Sequence, residues 1–323
     1  MNKSKAVKMY NSEFKEEFLE QKGYSEETKR VTRILFGKIP EIELEKQQDV
    51  YEFNRQNFEE VLKELKATTI RSLQSSISTI EQYINYAIEK GKISEIQGNV
   101  ASLYGKKEDI SQFLDKEAEG NMFFTKTEID SLSSYAENAQ DGAILNLIFD
   151  GVSHKRKFVE LRNIRIQNCD FDEMVINIPQ LVDEDTGEIL PSRQVPISSQ
   201  TLRMIDAAIE EKKYVSVKGK TSRNYKLADS DYILRGLRNN YQIKWENVNQ
   251  RILRIAKVEG YDYLNATNIA YSGQIHYARK LMEEDGLPVN EACKMMIKRF
   301  NLSDNESAFF YLKSRIERAY KNK

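Results

Sequence analysis

The stretch SGQIHYARKLMEEDG, Ser272–Gly286, holds one of the two histidines in the chain and closes on a glycine. Its pattern predicts a helix that stops at Gly286, because glycine is common just past a helix end. Whether His276 takes part in chemistry depends on its neighbours. No second metal-binding side chain stands four residues from it, so the stretch by itself does not predict a metal site.

The composition narrows the class of protein. A length of 323 residues predicts two domains, and a chain that is 40% hydrophobic and 31% charged can bury a substantial core. No run of about eighteen apolar residues and no apolar segment behind the basic start are present, which favours a cytoplasmic protein with no membrane partner. Cys169 and Cys293 lie far apart in sequence and are predicted to be buried free thiols in a reducing compartment. Because no phosphate-binding loop, GxGxxG or zinc spacing occurs, no cofactor and no metal are predicted.

The net charge of −1 hides oppositely charged segments. Residues 41–64 contain eight acidic and three basic side chains, whereas residues 212–257 contain twelve basic and three acidic ones, a local balance of +9. A second basic cluster, SHKRKFVELRNIR, occupies residues 153–165. Concentrated basic segments in a neutral chain are typical of a polyanion-binding surface. An ordinary solvated charged surface is an equal alternative.

Apolar periodicity predicts a helical first domain, at residues 1–110. Four segments carry apolar residues at helical spacing and together make a small bundle: 10–23, 24–39, 55–66 and 68–91. The mixture of glycines and charges that follows predicts a linker at 111–121.

The second domain, at residues 122–323, is predicted to mix helices with a small sheet. Thr125 and Glu128 form a capping-box pattern at the start of a helix. The alternation on both sides of DEDTGE, residues 183–188, predicts strand, loop and strand. A basic loop, VKGKTSRNYK, is predicted at 217–226 between helices. The fold class is therefore mainly α with a small antiparallel β-sheet.

Six segments follow one another in an order that resembles a known family, the tyrosine recombinases or phage integrases: MFFTKTEIDSL (122–132), FVELRNIRIQNCDF (158–171), SRQVPIS (192–198), WENVNQRILRIAKVEG (245–260), SGQIHYARKLMEEDG (272–286) and ESAFFYLK (306–313). They resemble motifs of that family's catalytic domain, and the helical bundle resembles its core-binding domain. The resemblance implies a two-domain clamp that holds duplex DNA between the bundle and a catalytic-like domain.

The resemblance also implies where catalytic residues should stand, and most of them are missing. The family forms a tyrosyl-DNA intermediate, and two arginines neutralise the scissile phosphate. Aligned on the family's motifs, Ile275 replaces the second arginine and Ser272 the histidine before it, and residues 183–188 lack the lysine of the sheet. The third-box histidine or tryptophan falls near Leu302.

Little of the catalytic set remains. The first arginine is replaced by Lys157, or by Ser153 if the helix is anchored on Gly151. Lysine supplies charge but not the two-pronged contact of an arginine. Tyr311, His276 and Lys157 are therefore vestigial candidates, and the chain is predicted not to be an enzyme.

Within the family, the chain most resembles the recombinase-like repressors that maintain lysogeny in SP-beta-type prophages. That resemblance implies a cytoplasmic transcriptional repressor that binds double-stranded DNA sequence-specifically and does not cut it. Two alternatives stay open: an active recombinase with Tyr311 as nucleophile, and a helical adaptor that binds other proteins. Self-association through the C-terminal helix is a further prediction.

The predicted DNA-binding residues come from the first-domain helix of segment 68–91, the two basic clusters, the helix at 245–260 and the opening stretch. They are Thr68, Arg71, Ser72, Ser75, Lys155, Arg156, Lys157, Lys218, Lys220, Arg223, Asn247, Asn249, Arg251, Arg254 and His276. Arginine can pair with guanine, and asparagine with adenine, whereas lysines in a basic loop hold phosphates. The alternative for each helix is a solvated or packed face.

Overall fold

The computed structural model describes residues 8–115, 122–218 and 221–321. The chain divides into two compact units, Met1–Gly120 and Asn121–Lys323. The predicted linker at 111–121 begins inside the first unit, because Phe113 is buried in the core of that unit. Residues 116–121, the rest of the predicted linker, lie outside the described residues.

The first unit is a helical bundle: α1 (Ser12–Gln21), α2 (Glu26–Phe36), α3 (Pro40–Lys46), α4 (Arg55–Glu64), α5 (Ile70–Glu89) and the short α6 (Lys107–Ile110). The four predicted helices are α1, α2, α4 and α5. Helix α3, at the start of the acidic residues 41–64, was not predicted. Pro40 stands in the first turn of α3, where its fixed backbone angle fits and its missing N–H costs nothing. The start of α5 is set by Thr69, whose hydroxyl accepts from the backbone N–H of Ser72.

An ionic cluster lies inside this bundle. The Lys15 ammonium and the Glu43 carboxylate are both fully buried and approach to 2.6 Å. Close by in the same core, the Asp49 carboxylate accepts from the hydroxyl of Tyr83 (2.9 Å) and from the side-chain amide of Asn11 (3.0 Å). Two buried carboxylates therefore share one ammonium. Burial, and then the neighbouring Asp49, raise the pKa of Glu43 to about 7, against the opposing charge of Lys15.

The second unit contains eight helices among its described residues: α7 (Lys126–Tyr135), α8 (Ala139–Asp150), α9 (Lys155–Asn163), α10 (Ser199–Glu210), α11 (Trp245–Glu259), α12 (Ala266–Glu283), α13 (Val289–Arg299) and α14 (Glu306–Lys321). The capping box predicted at Thr125 and Glu128 is confirmed at the start of α7. The helix predicted for the opening stretch is the second half of α12. The backbone of Gly286, just beyond it, is left-handed, with φ at +66°.

Three small antiparallel sheets lie in the described part of the second unit, from strands β1 (Cys169–Asp170), β2 (Val175–Ile178), β3 (Leu181–Val182), β4 (Ile189–Leu190), β5 (Arg193–Pro196), β6 (Lys213–Lys218) and β7 (Thr221–Lys226). The first sheet has the order β1-β2-β5, and β3 pairs with β4 on either side of residues 183–188, as predicted. The predicted basic loop at 217–226 is instead largely a hairpin, in which Tyr214 faces Tyr225 across β6 and β7. The prediction was wrong because Lys, Ser, Arg and Asn give no apolar alternation on a strand that is exposed on both faces.

Helix α8 is the centre of the second unit, since every residue from Gln140 to Asp150 is buried. Helix α12 crosses it closely at Gly273. A Cβ atom added to Gly273 would lie 1.9 Å from the carbonyl oxygen of Phe149, so the crossing requires a glycine. This contact brings His276 and Tyr277 of the opening stretch against the carboxyl end of α8.

Candidate nucleic-acid interface

His276 lies on α12 beside the end of α8. Its ring centroid is 5.5 Å from that of Phe149 and 5.0 Å from that of Tyr277. Burial, followed by the charge of Lys126, lowers the pKa of His276 below its ordinary value, although Asp150 opposes the shift. The imidazole is therefore neutral at neutral pH. A neutral ring packed between aromatic rings is better suited to packing than to holding a phosphate.

Ile275, which the sequence resemblance aligns with the family's second arginine, is buried. An arginine that the sequence analysis did not single out, Arg193 on β5, binds protein groups instead. It donates to the Glu160 carboxylate (Nε to Oε1, 3.0 Å) and to the carbonyl oxygens of Gly151 and Arg299 (2.9 and 2.8 Å). Arg193 stands inside the segment SRQVPIS, but its partners come from other parts of the chain, and no sequence signal links them.

Arg299, at the end of α13, was also not singled out from the sequence. Its guanidinium lies 3.7 Å from the ring centroid of Tyr277 and donates to the carbonyl oxygens of Asp150 (2.9 Å) and Pro196 (2.6 Å). The hydroxyl of Tyr277 in turn donates to the buried Asp150 carboxylate at 2.6 Å. This arginine also has its donors directed at protein acceptors.

Tyr311 lies in the first turns of α14, and 49% of it is exposed. Its ring centroid is 5.9 Å from that of the exposed Phe310. The neighbouring Leu312 and Ile316 are buried and attach α14 to the core formed with α12 and α13. Tyr311 is thus partly accessible to solvent.

The basic cluster at residues 153–165 is largely paired. Arg156 contacts the Glu188 carboxylate (2.9 Å), and Lys157 contacts that of Asp185. Lys155 is exposed next to them. Two of the three predicted phosphate-binding residues of this cluster therefore already have acidic partners within the chain.

Helix α11 corrects part of the sequence prediction. The apolar face of this helix is buried, with Val248 and Ile252 fully inaccessible to solvent. Arg251, predicted to face DNA, is instead only 6% exposed and lies 3.5 Å from the Asp141 carboxylate. It also lies over the ring of Tyr214, a residue of β6 that no helix-based pattern could place here.

The remaining predicted residues of α11 also divide into residues that the protein holds and residues that face solvent. Arg254 is half-buried and contacts Asp141 at 2.5 Å, so it too is held by the protein. Asn249 is half-buried, whereas Asn247 is exposed. Gln250 is also exposed, so Asn247 and Gln250 belong to the solvent-facing polar surface of α11, whereas Arg251 does not.

In the first unit, the start of α5 presents the predicted polar surface. Arg71, Ser72 and Ser75 are exposed, and Thr68 is half-buried just before the helix. The Ser72 hydroxyl donates to the carbonyl oxygen of Thr69 at 2.9 Å, which leaves Arg71 as the long charged side chain in this turn. A helix amino terminus with an exposed arginine suits a phosphate or a base edge.

The hairpin of β6 and β7 presents several basic residues. Arg223 and Lys226 of β7 and Lys213 of β6 are exposed. Of the other predicted residues, the backbone of Lys218 belongs to β6, its side chain lies outside the described residues, and so does all of Lys220. An antiparallel ribbon with exposed cations has dimensions that a DNA groove can admit.

Across 8–115, 122–218 and 221–321, no group of three or more His, Cys, Asp or Glu side chains is placed to hold a metal ion. Neither does any helix within those ranges have the length and apolar character to cross a membrane. Cys293 is buried and Cys169 is half-buried, and both are free thiols. Burial raises the pKa of Cys169 to about 12 and that of Cys293 to about 11, so neither is a reactive thiolate.

Solved structures with a similar arrangement include two DNA-bound integrases. The Tn1549 transposon integrase (residues 82–397, in complex with circular intermediate DNA) is 13% identical, with 98% of this chain and 100% of that chain covered and a TM-score of 0.46. A lambda integrase (residues 75–356) dimer bound to a COC' core site is 10% identical, with 92% of each chain covered and a TM-score of 0.43.

Sequence comparison identifies the family. The SPbeta prophage-derived uncharacterized protein YopR of Bacillus subtilis (strain 168) is 27% identical over 301 residues, which cover 91% of this chain and 89% of that protein. Two family models match, the MrpR N-terminal core-binding domain at residues 9–89 and the MrpR C-terminal catalytic domain at residues 123–322. The predicted resemblance to tyrosine recombinases is thereby confirmed, and the chain belongs to the MrpR family, with a core-binding domain followed by a catalytic-type domain.

Proposed function

We propose that this protein binds a specific duplex DNA sequence without cleaving it and acts in the cytoplasm as a prophage transcriptional repressor that maintains lysogeny. The observation that carries the proposal is the state of the arginines around the former catalytic position. Ile275 replaces one of them, and Arg193 and Arg299 are hydrogen-bonded to protein carbonyl and carboxylate groups. Loss of one preorganised contact to a transition state commonly costs about a hundred- to a thousandfold in rate.

Binding without cleavage needs surfaces for phosphates and for bases. In the first unit, the amino terminus of α5 with Arg71 supplies one such surface. In the second unit, Asn247 and Gln250 of α11 are the polar side chains available to base edges, and Arg223 and Lys226 of the β6–β7 hairpin supply charge for phosphates. The similarity to a prophage-derived protein supports the proposal that the repressor acts in a prophage.

The test begins with the binding site. Fragments of sheared genomic DNA from a lysogenic host are selected by the full-length protein, and the selected duplex is then prepared with a nick that would trap a phosphotyrosyl product. We expect tight, salt-dependent binding to the intact duplex and no covalent adduct in denaturing gels, with an active recombinase and its own nicked substrate as the positive control. Tyr311→Phe should bind as the wild type does. A trapped adduct that disappears in Tyr311→Phe would show that the protein is an enzyme.

An active recombinase is the second candidate, because the exposure of Tyr311 leaves its hydroxyl accessible. The trapped adduct distinguishes this candidate from the repressor. A protein-binding adaptor is the third, and duplex affinity distinguishes it. A DNA-binding protein loses affinity steeply as salt rises, because each phosphate contact releases counterions, whereas an adaptor would show no duplex binding at any salt concentration.

A further inference from the structure

The connection between β3 and β4, residues 183–188, carries four carboxylates and lies against three cations of α9. We call it the acidic loop. Its ion pairs join Arg156 to Glu188 and Asp183, Lys157 to Asp185, and Arg162 to Glu184. Three positive charges against four negative charges give these ion-paired groups a balance of −1, and the exposed Lys155 beside them brings the surface to zero. An external phosphate therefore meets no excess of positive charge there.

The acidic loop is held in its shape by its own backbone. The carboxylate of Asp183 accepts from the backbone N–H groups of Asp185 (2.8 Å) and Thr186 (3.2 Å). These hydrogen bonds, more than the nearby Arg156, lower the pKa of Asp183, so it stays ionised. Gly187 supplies the left-handed residue of the turn, with φ at +73°. The acidic loop is thus an ordered turn that holds its negative charges in fixed positions.

The cationic side is also arranged for this contact. Arg156, Lys157 and Phe158 are left-handed, with φ between +52° and +58°. Three consecutive residues of this kind are costly for L-amino acids and persist only where surrounding contacts hold them. The Arg162 side chain is buried, and its Nε donates to the carbonyl oxygen of Lys157 at 2.9 Å. The strained turn thereby keeps Arg156 and Lys157 beside the acidic loop.

We infer that the acidic loop is an internal competitor for DNA phosphate on Arg156 and Lys157, so that it limits the affinity of this surface for duplex DNA. The inference rests on the proposed DNA-binding function and adds a determinant of its strength. The pairing is reversible in principle, because the outer carboxylates remain accessible: the side chains of Glu184, Asp185 and Glu188 are 58%, 54% and 58% exposed. Removing their charge should release the cations to a polyanion.

The test uses the full-length protein with Asp185→Asn and Glu188→Gln combined, which leaves the Asp183 turn in place. Affinity for a random-sequence duplex is measured between 50 and about 300 mM salt. We expect roughly tenfold tighter binding near 0.1 M salt and a salt slope that is steeper by about one to two units, since up to two phosphate contacts are gained. Adding Lys157→Ala to the double variant should return part of the gain.

A matched control separates this effect from a change in net charge. Asp172→Asn with Glu173→Gln removes the same two charges from exposed residues in the turn between β1 and β2. We expect it to change affinity by less than threefold. An equal gain in both double variants, or no gain in the loop variant while the wild type binds duplex, would overturn the inference and leave the proposed function standing. Absence of duplex binding in the wild type and in every variant would overturn both, whereas binding that appears only in the loop variant would support the internal competition.

Discussion

Arg251 lies over the ring of Tyr214, with the guanidinium carbon 4.1 Å from the ring centroid. One face of its charge is therefore covered by an aromatic ring, while the Asp141 carboxylate approaches to 3.5 Å. Arg254 reaches the same carboxylate and the hydroxyl of the same tyrosine. The two arginines of α11 thus attach that helix to α8 and to the β6–β7 hairpin. The sequence analysis had predicted that these same side chains contact DNA bases.

Arg251→Ala should accordingly reduce the free energy of unfolding by about 1–3 kcal/mol, because it leaves the buried Asp141 carboxylate with one cation fewer while Arg254 remains in contact with it. Gln250→Ala, on the exposed face of the same helix, should leave stability within about 0.5 kcal/mol of the wild type. Urea unfolding followed by the fluorescence of Trp245, the single tryptophan of the chain, measures both. If Arg251→Ala is as stable as the wild type and loses only its preference for the selected DNA site, then Arg251 contacts DNA and does not stabilise the fold.

Gly273→Ala should destabilise the second unit by about 1–3 kcal/mol or more, since the added methyl group overlaps the carbonyl oxygen of Phe149 and the two helices must separate. Gly105→Ala is the control, because its added Cβ would be 3.9 Å from the nearest atom. Thermal unfolding of the three proteins provides the comparison. Equal midpoints for Gly273→Ala and the wild type would mean that α8 and α12 do not cross as closely as described.

The buried carboxylates of the first unit predict a dependence of stability on pH. The folded state raises the pKa of Glu43 to about 7, so it binds more protons than the unfolded state between about pH 4.5 and 7. The contribution of Glu43 is therefore fully present below its ordinary pKa and is lost as the pH rises through about 7. Across that interval we expect the wild type to lose on the order of 1–3 kcal/mol from this source.

Asp49→Asn tests that contribution, and it also removes the titration of Asp49, whose own pKa is raised by burial. It removes the carboxylate that helps to raise the pKa of Glu43, so the loss should become smaller and move to lower pH. Far-ultraviolet circular dichroism during unfolding at pH 5, 6, 7 and 8 measures the difference between variant and wild type, and this difference cancels the titration of the two histidines. Parallel pH profiles for the two proteins would contradict the effect of Asp49 on the pKa of Glu43.

Arg71→Ala should weaken binding to the selected DNA site by roughly 1–3 kcal/mol if its side chain reads a guanine. Lys63→Ala is a suitable control, since it removes one exposed positive charge from the neighbouring α4. Titration of both variants with cognate and random duplexes provides the measurement. Equal losses for the two duplexes would indicate a phosphate contact, and no loss for either would place the DNA-contacting surface of the first unit elsewhere.

Much of the fold was present in local sequence patterns. The helices of the bundle, the capping box at Thr125 and Glu128, and the strands flanking residues 183–188 were predicted because each depends on spacing within a few residues. The alignment of Ile275 with the family's second arginine is also a prediction from the sequence alone, because it rests on the motif in residues 272–286. α3 and the β6–β7 hairpin were missed, since neither carries a strong apolar period.

Only the tertiary structure decided which basic side chains are paired within the protein and which are free to contact DNA. By sequence, Arg251, Arg254, Arg156 and Lys157 are polar residues in basic segments and equally suited to a DNA surface. Their partners, Asp141, Tyr214 and the acidic loop, come from distant positions in the chain. Hydrophobic periodicity fixes which face of a helix is buried, but a long charged side chain at the edge of that face can reach either solvent or a buried carboxylate. The choice depends on whether a counter-charge is brought within a few ångströms, and only the packing of α8, α11 and the two hairpins determines that distance.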